Sequence, residues 1–137
     1  GNAGALLTRV EYLKLDKAKR FAVVDASMSE LIRPALYGAW HDIVAVRGEK
    51  RERATYDVVG PVCESADVLG VDRALAIAEG DLLAVMSAGA YAMAMASNYN
   101  SRPRPCEVMI DSGHAREVRA RESEASLFAL ERRLQGD

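Results

Sequence analysis

Gly60-Pro61-Val62-Cys63-Glu64-Ser65-Ala66-Asp67 directly follows Tyr56-Asp57-Val58-Val59, and these two stretches set the reading of the whole chain. The first is aromatic and β-branched with one charge, which is strand composition. Gly-Pro then turns the chain sharply, leaving a thiol and a carboxylate side by side just past a strand end. Loops held by a rigid scaffold are where chemistry is usually placed. A lone cysteine is nevertheless more often a small buried hydrophobe than a catalyst, so Cys63 needs support from elsewhere in the chain.

Outward from this turn, short strands separated by turns recur. Upstream, residues 9–15 and 20–25 read as a hairpin around the polar turn 16–19, preceded by a segment 2–8 that ends a helix or approaches a strand. Residues 42–46 read as a strand and 48–50 as a turn, with 54–59 as the strand that enters the cysteine loop. Between the hairpin and residue 42, Ser29 can cap a short helical stretch through Leu31 and Ile32, which Pro34 limits by pushing Arg33 out of the helical region. Arg33 and Tyr37 could then present a guanidinium and a phenol to one place. Taken alone, such an arginine is ordinarily a solvated surface residue. His41, beside Trp40, reads as a packing or hydrogen-bonding residue.

Downstream, residues 65–78 read as a loop with helical turns, and 82–86 as a buried strand leading to Ser87-Ala88-Gly89-Ala90-Tyr91. The small residues there permit close backbone approach, and Tyr91 is the first large polar-tipped side chain after them. Residues 92–96 suit a short helix and 98–105 a proline-rich loop. Strands at 106–110 and 117–121 flank the turn 111–113. Ser123 then caps a helix with Leu127, Leu130 and Leu134 on one face. The fold class this pattern implies is mainly β, a barrel or sandwich with short helices and a C-terminal helix.

Composition narrows the function classes. With 137 residues, 50% of them hydrophobic and 28% charged, the chain suits one folded domain. Its 18 basic and 20 acidic residues leave a net charge of -2, which provides no footprint for nucleic acid or an anionic membrane. Cys63 and Cys106, with only His41 and His114, make a metal site hard to assemble. Neither a charged leader nor a membrane-length apolar run is evident, so the thiols are expected to be reduced and the protein cytoplasmic, with no membrane partner. The opening Gly1-Asn2-Ala3-Gly4, without methionine, reads as a cut from a longer element.

Taken in order, Val24-Asp25-Ala26-Ser27-Met28, Leu31-Ile32-Arg33-Pro34-Ala35-Leu36-Tyr37, the octapeptide 60–67, Ser87-Ala88-Gly89-Ala90-Tyr91 and Ala96-Ser97-Asn98-Tyr99-Asn100-Ser101-Arg102-Pro103-Arg104-Pro105 resemble the carboxy-terminal domain of the diaminopimelate decarboxylase family. The resemblance implies a Greek-key β-domain that accompanies an amino-terminal (β/α)8 barrel, here absent. Residues 1–8 would be the tail of that barrel and its connection, and 9–137 the β-domain. It further implies pyridoxal 5'-phosphate as cofactor, a homodimer, and decarboxylation of meso-2,6-diaminopimelate to L-lysine and CO2. The lysine that anchors the cofactor belongs to the barrel. Of this chain's lysines, Lys14, Lys17, Lys19 and Lys50 have no comparable context, so the fragment alone is expected to be inactive.

By the same resemblance, Arg33 and Tyr37 hold the substrate's distal carboxylate. Cys63 is the candidate proton donor and Glu64 the partner of the distal ammonium, both delivered across the dimer, while Tyr91 contacts the cofactor phosphate and the substrate. The chemistry is coherent. The distal end of meso-diaminopimelate is a zwitterion, which calls for one cation and one anion together. A guanidinium grips a carboxylate bidentately, which lysine cannot reproduce. A thiol, with an ordinary pKa of about 8.5, can supply a proton near neutral pH. Ser27, Ala66 and Ala92 stand where the family pattern suggests glycine, and Cys106 matches no functional position and reads as core. The rival readings are a non-catalytic dimerisation or interaction module, and a decarboxylase of carboxylated polyamine precursors.

Overall fold

The structure is a computed structural model that describes residues 1–16, 18–48 and 50–134. Lys17 and Glu49, which the sequence places in turns, lie outside the described residues. The chain forms two compact units, Gly1–Ala96 and Ser97–Asp137.

The first unit contains β1 (Leu6–Leu15), β2 (Arg20–Val24), α1 (Arg33–Tyr37), β3 (Ile43–Ala45), β4 (Ala54–Val59), β5 (Val68–Leu75) and β6 (Leu82–Val85). The strands form one sheet in the order β3-β6-β1-β2-β4-β5. β1 is long enough to serve two neighbours: Leu6–Arg9 pair antiparallel with β6, and the stretch from Val10 to Leu15 pairs with β2. A register shift between Val10 and Tyr12 bends the strand at that hand-over. β2 and β4 run parallel, so the chain between them must cross over, and residues 25–53 do so while carrying α1 and β3. The edge strands β3 and β5 touch, closing the sheet into a near-barrel. This agrees with the mainly β barrel expected from the sequence.

Val10, Val24, Leu31, Val58, Leu69, Leu83 and Val85 are fully buried in its centre. Each such side chain contributes roughly 1.5–3 kcal/mol by leaving water. Leu31 matters most for the site, because it pins the crossover to the core just before α1 begins. His41 is buried as expected, its Nδ1 2.8 Å from the Met86 carbonyl.

Several local expectations change. Residues 68–75 are a strand, not a loop. Their inward set is Leu69, Gly70, Arg73 and Leu75, while Val71 and Asp72 both face out. A buried arginine and a glycine break the apolar alternation by which a strand is recognised, and Asp72 sits at φ 55, where the strand kinks. At α1 the reading reverses: Pro34 opens the helix instead of limiting one. A proline in the first turn loses no hydrogen bond, because that N–H would be unpaired anyway. Gly38, left-handed at φ 61, closes α1, with its N–H and that of Ala39 donating to the Pro34 and Arg33 carbonyls. Ser29 is not its cap.

The second unit has the hairpin β7 (Glu107–Asp111) and β8 (His114–Arg119), turning through Ser112 and Gly113 at positive φ. Ser123 caps α2 (Glu124–Leu127), its Oγ accepting from Ser126 N at 3.2 Å. The expected C-terminal helix stops there, and Leu130 and Leu134 lie beyond it almost fully exposed. A leucine stripe holds a helix only where something covers it. Cys106 is half-buried, not a core residue. Glu122 accepts from Arg104 N and Asn98 Nδ2, and these hydrogen bonds, led by the Arg104 amide, hold its carboxyl below the ordinary carboxylate range.

Candidate functional site

The loop 60–67 is organised by its last residue. Asp67 is 3% exposed, and its Oδ2 accepts from Val62 N at 3.0 Å. Its backbone closes the loop as well, with Gly60 N donating to Asp67 O at 2.9 Å and Asp67 N donating to Glu64 O at 3.0 Å. Gly60 has to be glycine here, since a Cβ would stand 2.5 and 2.6 Å from Oδ1 and Cγ of that carboxylate. Cys63 is carried outward and is exposed, while Glu64 beside it is half-buried. Glu64 Oε1 also faces Ser65 Oγ and Ala66 N at 3.4 and 3.3 Å. Ala66 does not occupy the left-handed region, so a side chain is tolerated where glycine was expected.

The segment that presents Arg33 leaves β2 through a set of side-chain bonds. Thr8 Oγ1 donates to Asp25 Oδ1 at 2.6 Å and accepts from Ala26 N at 3.0 Å. Ser27 N and Oγ both donate to Glu30 Oε2, at 2.7 and 2.8 Å, and Ser29 N donates to Ser27 Oγ at 3.0 Å. The serine found in place of the expected glycine is thus wholly buried and bonded on both sides. Arg33 and Tyr37 follow four residues apart on one face of α1, Arg33 half-buried and Tyr37 63% exposed. This segment and the cysteine loop meet at one point: Met28 N donates to Asp67 Oδ1 at 2.7 Å. α1 also packs against β5, the strand that leaves the loop.

Tyr91 is positioned independently. The close approach expected of residues 87–91 is made to the start of the chain, where Ala88 N donates to Gly4 O and Gly89 N to Gly1 O, both at 2.9 Å. A Cβ on Gly4 would come within 2.6 Å of Gly89 Cα, so neither backbone leaves room for a side chain. Ser87 and Tyr91 are left-handed, at φ 58 and 61, a strained state for non-glycine residues that clusters at functional sites. The Tyr91 side chain is 63% exposed. Ala92, at φ -82, needs no glycine either.

Sequence reasoning assigned no role to Asp67, although a carboxylate just before the apolar run Val68-Leu69 was the available signal. It also missed Arg73, which is 6% exposed and stacks on Trp40 with Cζ 3.1 Å from the ring centroid. Burial lowers the Arg73 pKa, and Asp42 opposes the shift. A recess of about 480 Å³, lined by residues including Lys19, Asp57 and Asp72, contains none of the predicted site residues. Of those residues Tyr37, Cys63 and Tyr91 are exposed and Arg33 and Glu64 half-buried, on three separate segments of the first unit.

A six-stranded sheet curled into a near-barrel, with its edge strands touching, is the fold that defines the class. The model of the C-terminal sheet domain of pyridoxal-dependent decarboxylases matches residues 2–89, and the chain belongs to that family. Among curated relatives, the diaminopimelate decarboxylase of Vibrio cholerae is 58% identical over 130 residues, covering 95% of this chain and 31% of the relative. The crystal structure of diaminopimelate decarboxylase from Helicobacter pylori complexed with L-lysine is 43% identical, with TM-score 0.88, over 95% of this chain and 32% of that one. The enzyme from M. jannaschii, also in complex with L-lysine, superposes with TM-score 0.94 at 36% identity, over 97% of this chain and 31% of that one. The chain therefore spans about a third of the length of the relatives it matches.

Proposed function

We propose that the chain is the substrate-recognising C-terminal domain of a meso-diaminopimelate decarboxylase, which forms L-lysine and CO2. The observation that carries this reading is the tie between the Arg33 segment and the Cys63-Glu64 loop through Asp67. It anchors both segments on one buried carboxylate, from which Arg33 and Tyr37 serve one active site of the homodimer and Cys63 and Glu64 the other, so that each site takes its cation and its anion from different subunits. Arg33 grips the carboxylate with Tyr37 beside it, and Glu64 receives the ammonium. Cys63, exposed at the loop tip, donates the proton that replaces the lost carboxyl group.

Pyridoxal phosphate, when bound, supplies the electron sink for decarboxylation. The residues present fit its phosphate end: the exposed phenol of Tyr91 offers an O–H donor, and the left-handed backbone there holds it out. They offer no anchoring amine, since Lys19 is engaged with Asp57 at 2.7 Å and no lysine lies on the three site segments. The anchor comes from a barrel domain reached through residues 1–8, the last of which already belong to β1. The open placement of Tyr37, Cys63 and Tyr91 supports a site completed by that barrel and by a second subunit of a homodimer. Free Cys63 and Cys106 suit a cytoplasmic protein.

The test is decarboxylation of meso-diaminopimelate with pyridoxal phosphate by this chain mixed with its separately produced barrel domain, and by each piece alone. Lysine formed only by the mixture is the expected result. Silence from a mixture whose pieces are folded and associated would turn the assignment toward a non-catalytic module or another substrate.

A further inference from the structure

Among the described residues, Arg73 is a buried charge that no acceptor meets. It is 6% exposed, its Nε is enclosed, and neither a hydrogen bond nor an ion pair engages the guanidinium. Buried donors are nearly always paired, and a buried charge without a partner is costly. Its place is nevertheless built: Trp40 stacks on the guanidinium, and at Gly70 a Cβ would stand 2.5 Å from Nε. Asp42, whose charge reaches Arg73, is bonded to Trp40 Nε1 at 2.9 Å instead. The guanidinium borders a recess of about 350 Å³ where β3 and β5 meet, with exposed Trp40, Val44 and Met86 on its wall. We infer that this recess seats an acidic side chain of the barrel domain, which supplies the acceptor that Arg73 lacks. The inference rests on the function proposed above and names a docking point for the partner that function requires.

Three observations select that occupant. A guanidinium without an acceptor calls for a carboxylate, which it can take bidentately, and Trp and Arg are the residue types that dominate binding energy at interfaces. Asp42 and Asp72 also line the recess, so the matching surface needs a basic residue beside its acid to face them. The recess is also continuous with β1. Leu7 and Val44 both pair with Ala84, from opposite sides, so the three share one face of the sheet, and Leu7 and Val44 are 62% and 45% exposed there. This apolar row runs from the strand through which the barrel is reached to the wall of the recess. Finally, the chain spans about a third of the length of its relatives, so the greater part of such a protein is available to cover this face.

The experiment uses the intact protein that carries this chain, first as Val44→benzoylphenylalanine, a photoreactive residue on the recess wall. Irradiation is expected to join it to a barrel-domain peptide that contains an acidic residue. Amide hydrogen exchange of that peptide is then followed in wild type, Arg73→Met and Val44→Glu. Val44→Glu leaves Arg73 and Trp40 in place and sets a like charge against the incoming acid, which keeps the result interpretable if Arg73→Met folds poorly. In both variants exchange of the barrel peptide should rise by about tenfold, the factor that corresponds to one lost charge-assisted bond. Replacing the barrel acid by its amide should do the same in the wild type and add nothing in the Arg73→Met background. An Arg73 that served only its own sheet would loosen 70–75 and leave the barrel peptide unchanged, which would overturn the inference. A cross-link to residues 1–137 of a second copy, or the absence of any cross-link to protein, would overturn it as well. A protein active on meso-diaminopimelate with an open recess refutes the docking alone, whereas one that is inactive yet cross-linked at its barrel refutes the functional reading and keeps the docking.

Discussion

Replacing Thr8 by valine keeps the side-chain shape and removes one hydroxyl, and that hydroxyl is the joint between β1 and the crossover leading to Arg33. Thr8 is 2% exposed, and its Oγ1 both donates to Asp25 and accepts from Ala26 N. In Thr8→Val the Ala26 N–H is left buried without an acceptor, which costs about 1–3 kcal/mol. Asp25 loses less, about 0.5–1 kcal/mol, because it is exposed and still accepts from Arg9 N at 2.8 Å. The methyl that replaces the hydroxyl returns up to about 0.8 kcal/mol by burial. The net loss is about 0.7–3 kcal/mol, near 2 at the centre of these ranges, whereas Thr8→Ser, which keeps both bonds and loses one methyl, should cost about 1 kcal/mol. Urea unfolding followed by the fluorescence of Trp40, the sole tryptophan, reads both variants. With a slope of 1–3 kcal/mol per molar urea, the valine midpoint should fall by about 1 M. If Thr8→Val is as stable as Thr8→Ser, the hydroxyl does not hold the crossover and the reasoning fails.

On the function proposed above, Arg33→Ala in the intact protein that carries this chain should raise KM for meso-diaminopimelate by about 30-fold or more, the worth of a bidentate charge-assisted contact, with kcat less affected. An unchanged KM would remove Arg33 from the site. Cys63→Ala should lower kcat by about a hundredfold while pyridoxal phosphate stays bound, as its absorbance reports, and full turnover would end the proton-donor assignment. Stability should also fall with acid. Burial raises the Asp57 pKa, but the Lys19 hydrogen bond, the Asp72 amide and the Lys19 charge together outweigh it, so the net shift is downward. A depressed folded-state pKa contributes stability above the unfolded value, and this is lost as pH falls through the folded one. Thermal midpoints should therefore drop below about pH 4, more steeply in the wild type than in Asp57→Asn; equal slopes would contradict this. Glu122 titrates in the same direction, so the variant's slope is reduced and not abolished.

Much of the barrel was legible in the sequence because the information is local. Residues 54–59 are mostly aromatic and β-branched and 82–85 are apolar, and both are short runs bounded by turns, a length and composition that favour strands over helices. The polar set Arg33, Tyr37, Cys63, Glu64 and Tyr91 is a proposal carried by the family resemblance of the motifs around it, since residue type gives chemistry but not which groups share a site. What the sequence left undetermined depends on partners distant along the chain. β5 was missed because Arg73 can lie inward only where Trp40, far upstream, supplies a ring to cover it. The terminal helix was overextended because, among the described residues, Leu130 and Leu134 stand almost fully exposed while only Leu127 is partly covered. Pro34 is compatible with ending a helix or with beginning one, and burial of Leu31 in the core selects the second. Asp67 shows the division most plainly. Its place in a turn follows from composition, but its task depends on Met28 arriving, 39 residues apart in sequence, at 2.7 Å. Periodicity records the preferences of each segment, and only folding decides which segments share a buried charge.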